Sequence, residues 1–294
     1  MKTKLHIFKT VAYYASFTKA AERLFISQPA VSKAIRNLEE AYKSTFFIRK
    51  RNSIELTDNG KVFLAYVNRI LSVHAEIDNY FLSAKNNQPT AIKFGVSTTV
   101  ASYVIPKVIA NYRIQFPKTS FDIKSGNSET IETLILNQTL DFGITEGKDS
   151  HPQLQFNKFV KDEIVLVTNA NNNRFKNDVV DKKNLQELPF VMREFGSGTR
   201  DIIQAVLKSH QVSSLKTVVT LSSAEAIKHY LYYSDNYAFI SIHAVSEDLL
   251  AKKLKIIDVK GFMIERWFYF VSRTGYQSVL MDQFEKFSKN NYNL

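Results

Sequence analysis

The sequence feature that most constrains the fold is a pair of short amphipathic helices near the N-terminus, separated by a tight turn. Apolar residues at helical spacing predict a first helix over residues 4–15. Thr18 is placed to cap a second helix over residues 19–24, and Ser27 is placed to cap a third helix after a short turn. A short helix, a tight turn and a second helix form the helix-turn-helix arrangement of many DNA-binding proteins.

The third helix is expected to have one apolar face and one polar, basic face. Four apolar residues at helical spacing form its buried stripe: Val31, Ala34, Ile35 and Leu38. The opposite face carries Gln28, Ser32, Lys33 and Arg36. Gln can pair bidentately with adenine and Arg or Lys with guanine, so this face can contact bases in a major groove. Each of these residues alone is more often a solvated surface side chain.

A basic hairpin is predicted after the third helix. Residues 46–57 alternate apolar and polar side chains around Asn52 and Ser53, as a two-stranded wing does. Three consecutive basic residues lie at its tip: Arg49, Lys50 and Arg51. Side chains at this position can contact phosphates or the minor groove.

The net charge of +11 is unevenly distributed along the chain. Residues 1–60 contain 11 basic and 5 acidic residues, so a fifth of the chain holds more than half of the positive excess. A basic surface suits nucleic acid or a membrane surface, and its position beside a helix-turn-helix favours nucleic acid. The absence of cysteine excludes disulfides, thiolate metal sites and cysteine nucleophiles. With no secretory signal and no apolar run of about 18 residues, we expect a cytoplasmic protein without a membrane partner.

Five stretches of the first sixty residues together resemble the LysR-type transcriptional regulators. They are residues 16–24 (SFTKAAERL), residues 27–32 (SQPAVS), residues 38–40 (LEE), Phe47-x-Arg49 and Leu56-Thr57-x-x-Gly60. The resemblance implies a recognition helix, a wing and a set of DNA contacts: Thr18, Ser27, Gln28, Pro29, Ser32, Lys33, Arg36, Arg49 and Arg51. The chain departs from the family at Lys43, where glycine is usual, and at Asn52, where a basic residue is usual.

A long helix with an apolar seam is expected over residues 59–85. Spacings of three and four residues persist through Phe63, Tyr66, Ile70, Val73, Ile77 and Tyr80. Such a seam can pack against its own domain or against a second helix. The resemblance to LysR regulators implies the same helix of a second subunit, so we expect a homodimer or a homotetramer. Residues 86–90 then form a polar hinge.

From Ala91 onwards the sequence alternates strand and helix patterns, which predicts an α/β architecture. Residues 91–97 predict a first strand, and residues 99–116 predict a helix bent at Pro106. Residues 163–169 are apolar nearly throughout, which is typical of a strand buried on both faces.

The resemblance extends over the full length of the chain. It implies a mainly α winged helix-turn-helix domain (1–58) followed by the linker helix and the hinge. It also implies an α/β two-lobed effector-binding domain (91–294) like a periplasmic binding protein. One lobe is expected over 91–161 and 267–294, and the other over 162–266.

Four further strings narrow the resemblance to one branch of the family. They are residues 97–99 (STT), residues 126–131 (GNSETI), residues 193–200 (REFGSGTR) and residues 241–245 (SIHAV). They are similar to the branch that includes regulators of sulfur-assimilation and carbon-fixation genes. The chain departs from that branch at Ser234 and Asn236, where glycines are usual.

Hydroxyl side chains at the ends of predicted strands indicate an effector site between the lobes. Ligands bind at these strand ends in open α/β sheets, and helix N-termini with hydroxyls suit a small anion or carboxylate. The candidate residues are Ser97, Thr98, Thr99, Ser128 and Thr145 in the first lobe and Ser197 and Thr199 in the second. Each alone is more often a helix cap, but jointly they favour a polar pocket.

No enzyme class is supported by the sequence. Residues 196–200 (GSGTR) lack the lysine and the spacing of a P-loop, and no G-x-G-x-x-G follows a strand. The six histidines show no metal-ligand spacing. We therefore predict no catalytic residue, no metal and no cofactor.

The resulting hypothesis is a sequence-specific transcriptional regulator of the LysR type. Its dimers would bind a double-stranded DNA operator, and its second domain would bind a small anionic effector that shifts a two-state equilibrium. RNA polymerase is a further candidate partner. Two other classes stay open: a non-specific architectural DNA binder, and a solute-binding or enzymatic α/β protein with a vestigial DNA domain.

Overall fold

The computed structural model describes residues 1–50, 53–86, 91–147, 151–212, 214–276 and 278–292. The chain folds into two compact units. The first comprises Met1–Asn87 with the short piece Asn137–Thr139, and the second comprises Gln88–Leu136 and Leu140–Leu294. Among the described residues, no helix combines the length and the apolar character needed to cross a membrane.

Within its described residues, the N-terminal unit contains four helices and a two-stranded hairpin. In chain order they are α1 (Lys2–Tyr14), α2 (Phe17–Leu24), α3 (Gln28–Ala41), β1 (Phe47–Lys50), β2 (Ser53–Leu56) and α4 (Asp58–Asn86). Leu5 and Phe8 of α1 are buried in a core shared by α1, α2 and α3. The predicted stripe of α3 lies in the same core: Val31, Ala34, Ile35 and Leu38.

The caps of α2 and α3 only partly follow the sequence pattern. The prediction that Thr18 caps α2 is wrong, because the buried Phe17 begins the helix and places Thr18 in its exposed first turn. Ser16 is the cap instead, and its Oγ accepts a hydrogen bond from the N–H of Lys19 at 3.2 Å. The predicted cap of α3 is confirmed: Ser27 Oγ accepts from the N–H of Ala30, at 3.3 Å.

A seven-stranded mixed sheet covered by helices forms the framework of the second unit. In chain order, the helices and strands of the second unit are β3 (Ala91–Ser97), α5 (Thr98–Tyr103), α6 (Ile105–Gln115), β4 (Ser120–Gly126), α7 (Ser128–Leu136), β5 (Phe142–Thr145), β6 (Leu154–Asn169), β7 (Val179–Val180), β8 (Pro189–Arg193), α8 (Gly198–Ser209), β9 (Lys216–Leu221), α9 (Ala224–Leu231), β10 (Ala238–Ser241), α10 (Ile242–Leu250), β11 (Leu254–Ile256), β12 (Asp258–Val259), β13 (Ile264–Arg273) and α11 (Val279–Asn291).

Two long antiparallel strands, β6 and β13, join the two lobes of this unit. In the first lobe the sheet continues from β13 through β5 and β3 to β4. In the second lobe the C-terminal half of β6 pairs with β10 and β11, and β8 pairs with β9. Each lobe has its own apolar core, around Phe94 and Phe284 in the first and around Phe190 and Phe239 in the second. The predicted α/β fold class is confirmed.

Two predicted elements of the second unit differ from the structure. The predicted helix over 99–116 is two helices, because Val104 interrupts it with φ of −112° and Pro106 lies in the first turn of α6. Proline lacks an N–H and therefore fits a helix start better than a helix interior. The strand predicted over 163–169 begins earlier, at Leu154, since residues 154–162 also pair with β13.

Candidate DNA-binding and ligand-binding sites

The outer face of α3 carries polar side chains that are free to contact a partner. Gln28, Lys33 and Arg36 are exposed, whereas the opposite face lies in the core. Neither the ammonium group of Lys33 nor the guanidinium group of Arg36 forms a hydrogen bond or ion pair with another residue that the structure describes. Gln28 Nε2 donates a hydrogen bond to Ser32 Oγ at 3.0 Å, which holds the amide along the helix face. This face therefore presents two unpaired cations and an oriented amide.

The other predicted DNA contacts are placed as follows. Thr18, Ser27 and Pro29 are exposed, at the start of α2 and of α3. Arg49 belongs to β1, but its side chain lies outside the described residues, as does Arg51 as a whole.

The hairpin after α3 is an antiparallel pair in which Phe47 is opposite Leu56. Its attachment to α3 depends on Glu39, whose Oε1 accepts hydrogen bonds from two successive N–H groups. The distances are 2.7 Å to Phe46 N and 3.3 Å to Phe47 N. Sequence reasoning missed this positioning role, because the acceptor and donors are seven and eight residues apart with a helix end between them.

The Leu56-Thr57-x-x-Gly60 string joins the hairpin to α4. Thr57 Oγ1 donates a hydrogen bond to Thr45 O at 2.7 Å and accepts one from Gly60 N at 2.8 Å. A Cβ at Gly60 would lie 2.2 Å from Phe46 O, so the close approach of the two backbones requires glycine.

One side of α4 packs against its own unit. Val67 is 0% exposed and Leu71 is 8% exposed, and both lie in the N-terminal core. Phe63 packs there as well, since its ring stacks on Phe46 at 4.2 Å and meets Phe8 edge-on at 4.9 Å. Phe63 is partly buried by these contacts, and its membership of the dimerisation seam stays a prediction.

The remaining seam of α4 is exposed within the described residues. Its members are Tyr66, Ile70, Val73 and Ile77. With Arg69 and His74 they line a groove of about 360 Å³. The side chain of Tyr80, the last predicted seam residue, lies outside the described residues. An apolar stripe at heptad spacing is the surface that a second helix covers in a coiled coil.

The hydroxyl side chains predicted to bind a ligand lie where the two lobes of the second unit meet. Thr99 of the first lobe and Thr199 of the second line the same small cavity. Ser128 and Gly198 lie at two facing helix starts, and a Cβ at Gly198 would be 2.7 Å from Ser128 Oγ. The structure therefore brings residues of both lobes together.

Two of the predicted residues lie at helix caps. Ser97 Oγ accepts a hydrogen bond from the N–H of Val100 at 3.4 Å and is a structural cap of α5. Ser197 is the N-cap residue of α8 but makes no side-chain capping bond, and it is 2% exposed.

Hydrogen bonds between the lobes close the cleft. The N–H of Glu129 donates to Gly196 O at 3.2 Å, and Arg193 Nη2 donates to Thr98 Oγ1 at 3.0 Å. The cavity beside them is about 10 Å³, which is room for about one water molecule. This cavity is too small to hold an organic molecule.

The candidate hydroxyls already bind carboxylates of the protein itself. Ser128 Oγ donates to Glu146 Oε2 at 2.7 Å, and Thr145 Oγ1 donates to Glu132 Oε1 at 3.2 Å. Both carboxylate residues are buried. The groups that could bind an anion therefore have internal anionic partners, which a ligand would have to replace.

A buried arginine that sequence reasoning missed completes the cleft. Arg266 donates through Nε to Asp162 Oδ2 at 2.6 Å and through Nη1 to Thr199 Oγ1 at 2.7 Å. Its Nη2 is buried without a hydrogen-bond partner among the described residues. Ser241 Oγ donates to the other carboxylate oxygen of Asp162 at 2.8 Å. The sequence gives no clear signal for this pair, because Asp162 lies between Lys161 and Glu163, and Arg266 follows Glu265.

In the described part of the chain, no three His, Asp or Glu side chains are grouped so that they could hold a metal ion.

Two family descriptions match the chain. Residues 3–61 match "Bacterial regulatory helix-turn-helix protein, lysR family", and residues 86–292 match "LysR substrate binding domain". A protein of Phaeodactylum tricornutum described as "Probable RuBisCO transcriptional regulator" is 31% identical over 290 residues, covering 97% of this chain and 94% of the relative. The description of this relative agrees with the predicted branch of the family, which includes regulators of carbon-fixation genes.

Solved structures share the fold at low sequence identity. Full-length CbnR complexed with its target DNA has a TM-score of 0.71 at 15% identity, covering 99% of both chains. The regulatory domain of Synechocystis PCC6803 CcmR in complex with 2-PG has a TM-score of 0.63 at 24% identity, covering 69% of this chain and 97% of that one. The predicted combination of a helix-turn-helix domain with a two-lobed domain is confirmed.

Proposed function

This chain belongs to the LysR family of bacterial helix-turn-helix transcriptional regulators, and we propose how its residues perform regulation. The α3 helix enters the major groove, where Gln28, Lys33 and Arg36 contact base edges. The wing then lies over the adjacent backbone. The observation that carries this proposal is the pair of exposed cations on α3, whose side chains have no partner among the described residues and lie opposite a packed apolar face.

We infer that the protein acts as a dimer through the exposed seam of α4. Tyr66, Ile70 and Val73 are between 42% and 58% exposed, which is unfavourable on a helix that stays alone in water. Pairing of two seams would bury them and join two recognition helices for two half-sites of an operator.

We further propose that the effector is a small anion bound between the lobes. Arg193 and Arg266 supply buried guanidinium groups there, and Arg266 has an N–H group left without a partner. The 2-PG named for the CcmR complex gives a first candidate for testing. An anion that binds Ser128 or Arg193 would replace Glu146 or Glu194, since these carboxylates hold the hydroxyl and the guanidinium now.

The replacement of internal carboxylates gives a physical basis for regulation. In the present arrangement Ser128 and Arg193 bind the protein's own carboxylates, whereas in the ligand-bound arrangement they would bind the ligand. A ligand shifts such an equilibrium only by its difference in affinity for the two states. The name of the Phaeodactylum relative leads us to propose genes of carbon fixation as targets.

Nuclease protection tests the proposed function. The full-length protein is incubated with the DNA upstream of its own gene at near-physiological salt, with random DNA as competitor. We expect protection of one discrete region with two-fold symmetry, altered by 2-PG. Uniform protection equal to that of random DNA would instead favour a non-specific architectural protein, and no protection with tight 2-PG binding would favour a solute-binding protein.

A further inference from the structure

A second cavity lies in the second lobe, away from the cleft. It has a volume of about 630 Å³ and lies between α8, residues 211–212 and 214–215, and the paired strands β8 and β9, which contribute Met192 and Thr217. None of its lining residues lines the small cavity of the cleft. Its volume is within the range of about 300–1,000 Å³ that is typical of small-molecule sites.

One wall of this cavity is a row of cationic and amide side chains. Arg200, Gln204 and Lys208 follow one another at intervals of four residues and so lie on one face of α8, and Gln211 follows just after the helix. The side chain of Lys208 is exposed, and its ammonium group forms no hydrogen bond or ion pair with any residue that the structure describes. Among the described residues, no Asp or Glu lines the cavity. The wall is therefore positively charged, and the charge of Arg200 is offset in part by its neighbour Asp201.

Arg200, the first residue of this row along α8, is held in place by two contacts. Its guanidinium carbon lies 4.0 Å from the centre of the Phe195 ring, and its Nη1 donates to Arg193 O at 2.6 Å. Its Nε is buried without a hydrogen-bond partner among the described residues. A guanidinium oriented in this way loses little conformational entropy when it binds an anion.

The rest of the cavity is mainly apolar. Met192, Leu207 and Val212 are at most 5% exposed and contribute to its lining, together with Leu215. Side chains of this kind accept the hydrocarbon part of a ligand, whereas the cations fix the charged end. The lining thus combines the two properties that an organic anion with an apolar part requires.

We propose that this cavity is a second ligand site, separate from the effector cleft, for a small organic anion that carries an apolar group. The anionic group binds Arg200 and Lys208, and the apolar group packs against Met192, Leu207 and Val212. Gln204 and Gln211 donate further hydrogen bonds from the same face.

Calorimetric titration of the full-length protein with phenyl phosphate tests the site. Phenyl phosphate is used as the probe because it joins a dianion to an aromatic ring, and inorganic phosphate is its comparison. We expect phenyl phosphate to bind more tightly than inorganic phosphate. Lys208→Glu should weaken its binding at least tenfold, because a charge-assisted contact becomes repulsive. Lys183→Glu, which reverses an exposed charge of the same lobe outside the cavity, is the matched control and should leave binding unchanged.

A second variant separates loss of charge from loss of space. Gln204→Trp fills the cavity from an exposed helix position and should abolish binding without removing a cation. Equal affinity in Lys208→Glu and Lys183→Glu, or no detectable binding of the probe to the wild type, would overturn the proposal.

Ser128→Ala changes only the cleft and should leave phenyl phosphate binding intact. The outcome is therefore independent of whether the proposed anionic effector binds the cleft.

Discussion

Arg266 and Asp162 form a buried ion pair where the paired strands β13 and β6 pass from one lobe to the other, with 2.6 Å between Nε and Oδ2. Their side chains are 2% and 0% exposed. The same guanidinium reaches Thr199 at the start of α8, so one residue connects both long strands to the second lobe. We interpret this pair as an anchor that fixes the two long strands to the start of α8.

Arg266→Met should destabilise the second unit by about 3 kcal/mol, because it leaves the Asp162 carboxylate buried without its partner. Urea unfolding measures the change. Lys161→Met is the matched control. Lys161 of β6 forms an ion pair with Glu265 of β13, with 2.6 Å between Nζ and Oε1, but both side chains are about half exposed. Its effect should stay below about 1 kcal/mol. Equal effects of the two variants would contradict the assigned role of Arg266.

Lys43→Gly should stabilise the N-terminal unit by up to about 1 kcal/mol. Lys43 follows the end of α3 with φ of 47°, a left-handed conformation that disfavours any residue with a Cβ. Lys33→Gly provides the opposite case, because Lys33 lies within the helix, where glycine costs about 1 kcal/mol. Thermal unfolding of both variants should show shifts of opposite sign, and a loss of stability in Lys43→Gly would contradict the explanation.

Ile70→Asp should convert the dimer into a monomer at micromolar concentration. The substitution places a charge in the centre of the exposed seam of α4, where pairing would bury it without a partner. Leu250→Asp makes the same chemical change at a residue that is 86% exposed on α10, and it should leave the dimer intact. Sedimentation velocity distinguishes the two. A dimer that survives Ile70→Asp would show that α4 is not the contact between subunits.

The acid dependence of stability should report the buried Asp248. Burial raises the pKa of Asp248, but hydrogen bonds from Tyr232 and Lys228 and the charge of Lys228 outweigh it, so that its pKa is lowered. A lowered folded pKa means that this stabilisation is fully present above the ordinary value of about 4 and is lost as the pH falls through the folded value.

Tyr232→Phe removes one of these donors and should cost about 2 kcal/mol at pH 7. The difference from the wild type should shrink below about pH 4, as the carboxylate protonates. Tyr233→Phe changes a neighbouring tyrosine that is 90% exposed and should have little effect at either pH. A Tyr232→Phe effect that does not change with pH would mean that the hydrogen bond to the ionised carboxylate is not its cause.

Local patterns in the sequence predicted those elements whose stability depends on near neighbours. The cap at Ser27, the buried stripe of α3 and strand β3 all follow from spacing or capping within a few residues. The cap of α2 was misassigned because Ser16 and Thr18 have similar side chains, and only the burial of Phe17 decides between them. The glycine usual at Lys43 is explained by the left-handed backbone there.

The candidate ligand site could be predicted only in part, because its geometry depends on contacts between distant parts of the chain. Hydroxyls at strand ends are visible in the sequence, and the structure does bring Thr99 and Thr199 together. Their partners are not visible, because Arg266 is 67 residues from Thr199 along the chain. The bonds from Glu129 to Gly196 and from Arg193 to Thr98 likewise depend on how the lobes meet, which no local pattern encodes.

The most direct test of the central claim is a competition titration that measures the ratio of operator to random-DNA affinity for full-length protein. For the wild type we expect a ratio of about 10³ or more at near-physiological salt. Arg36→Ala should lower this ratio about tenfold or more by removing a base contact, and Lys118→Ala, an exposed lysine of the second unit, should leave it unchanged. A wild-type ratio near one, or equal ratios for Arg36→Ala and the wild type, would contradict sequence-specific recognition by the outer face of α3.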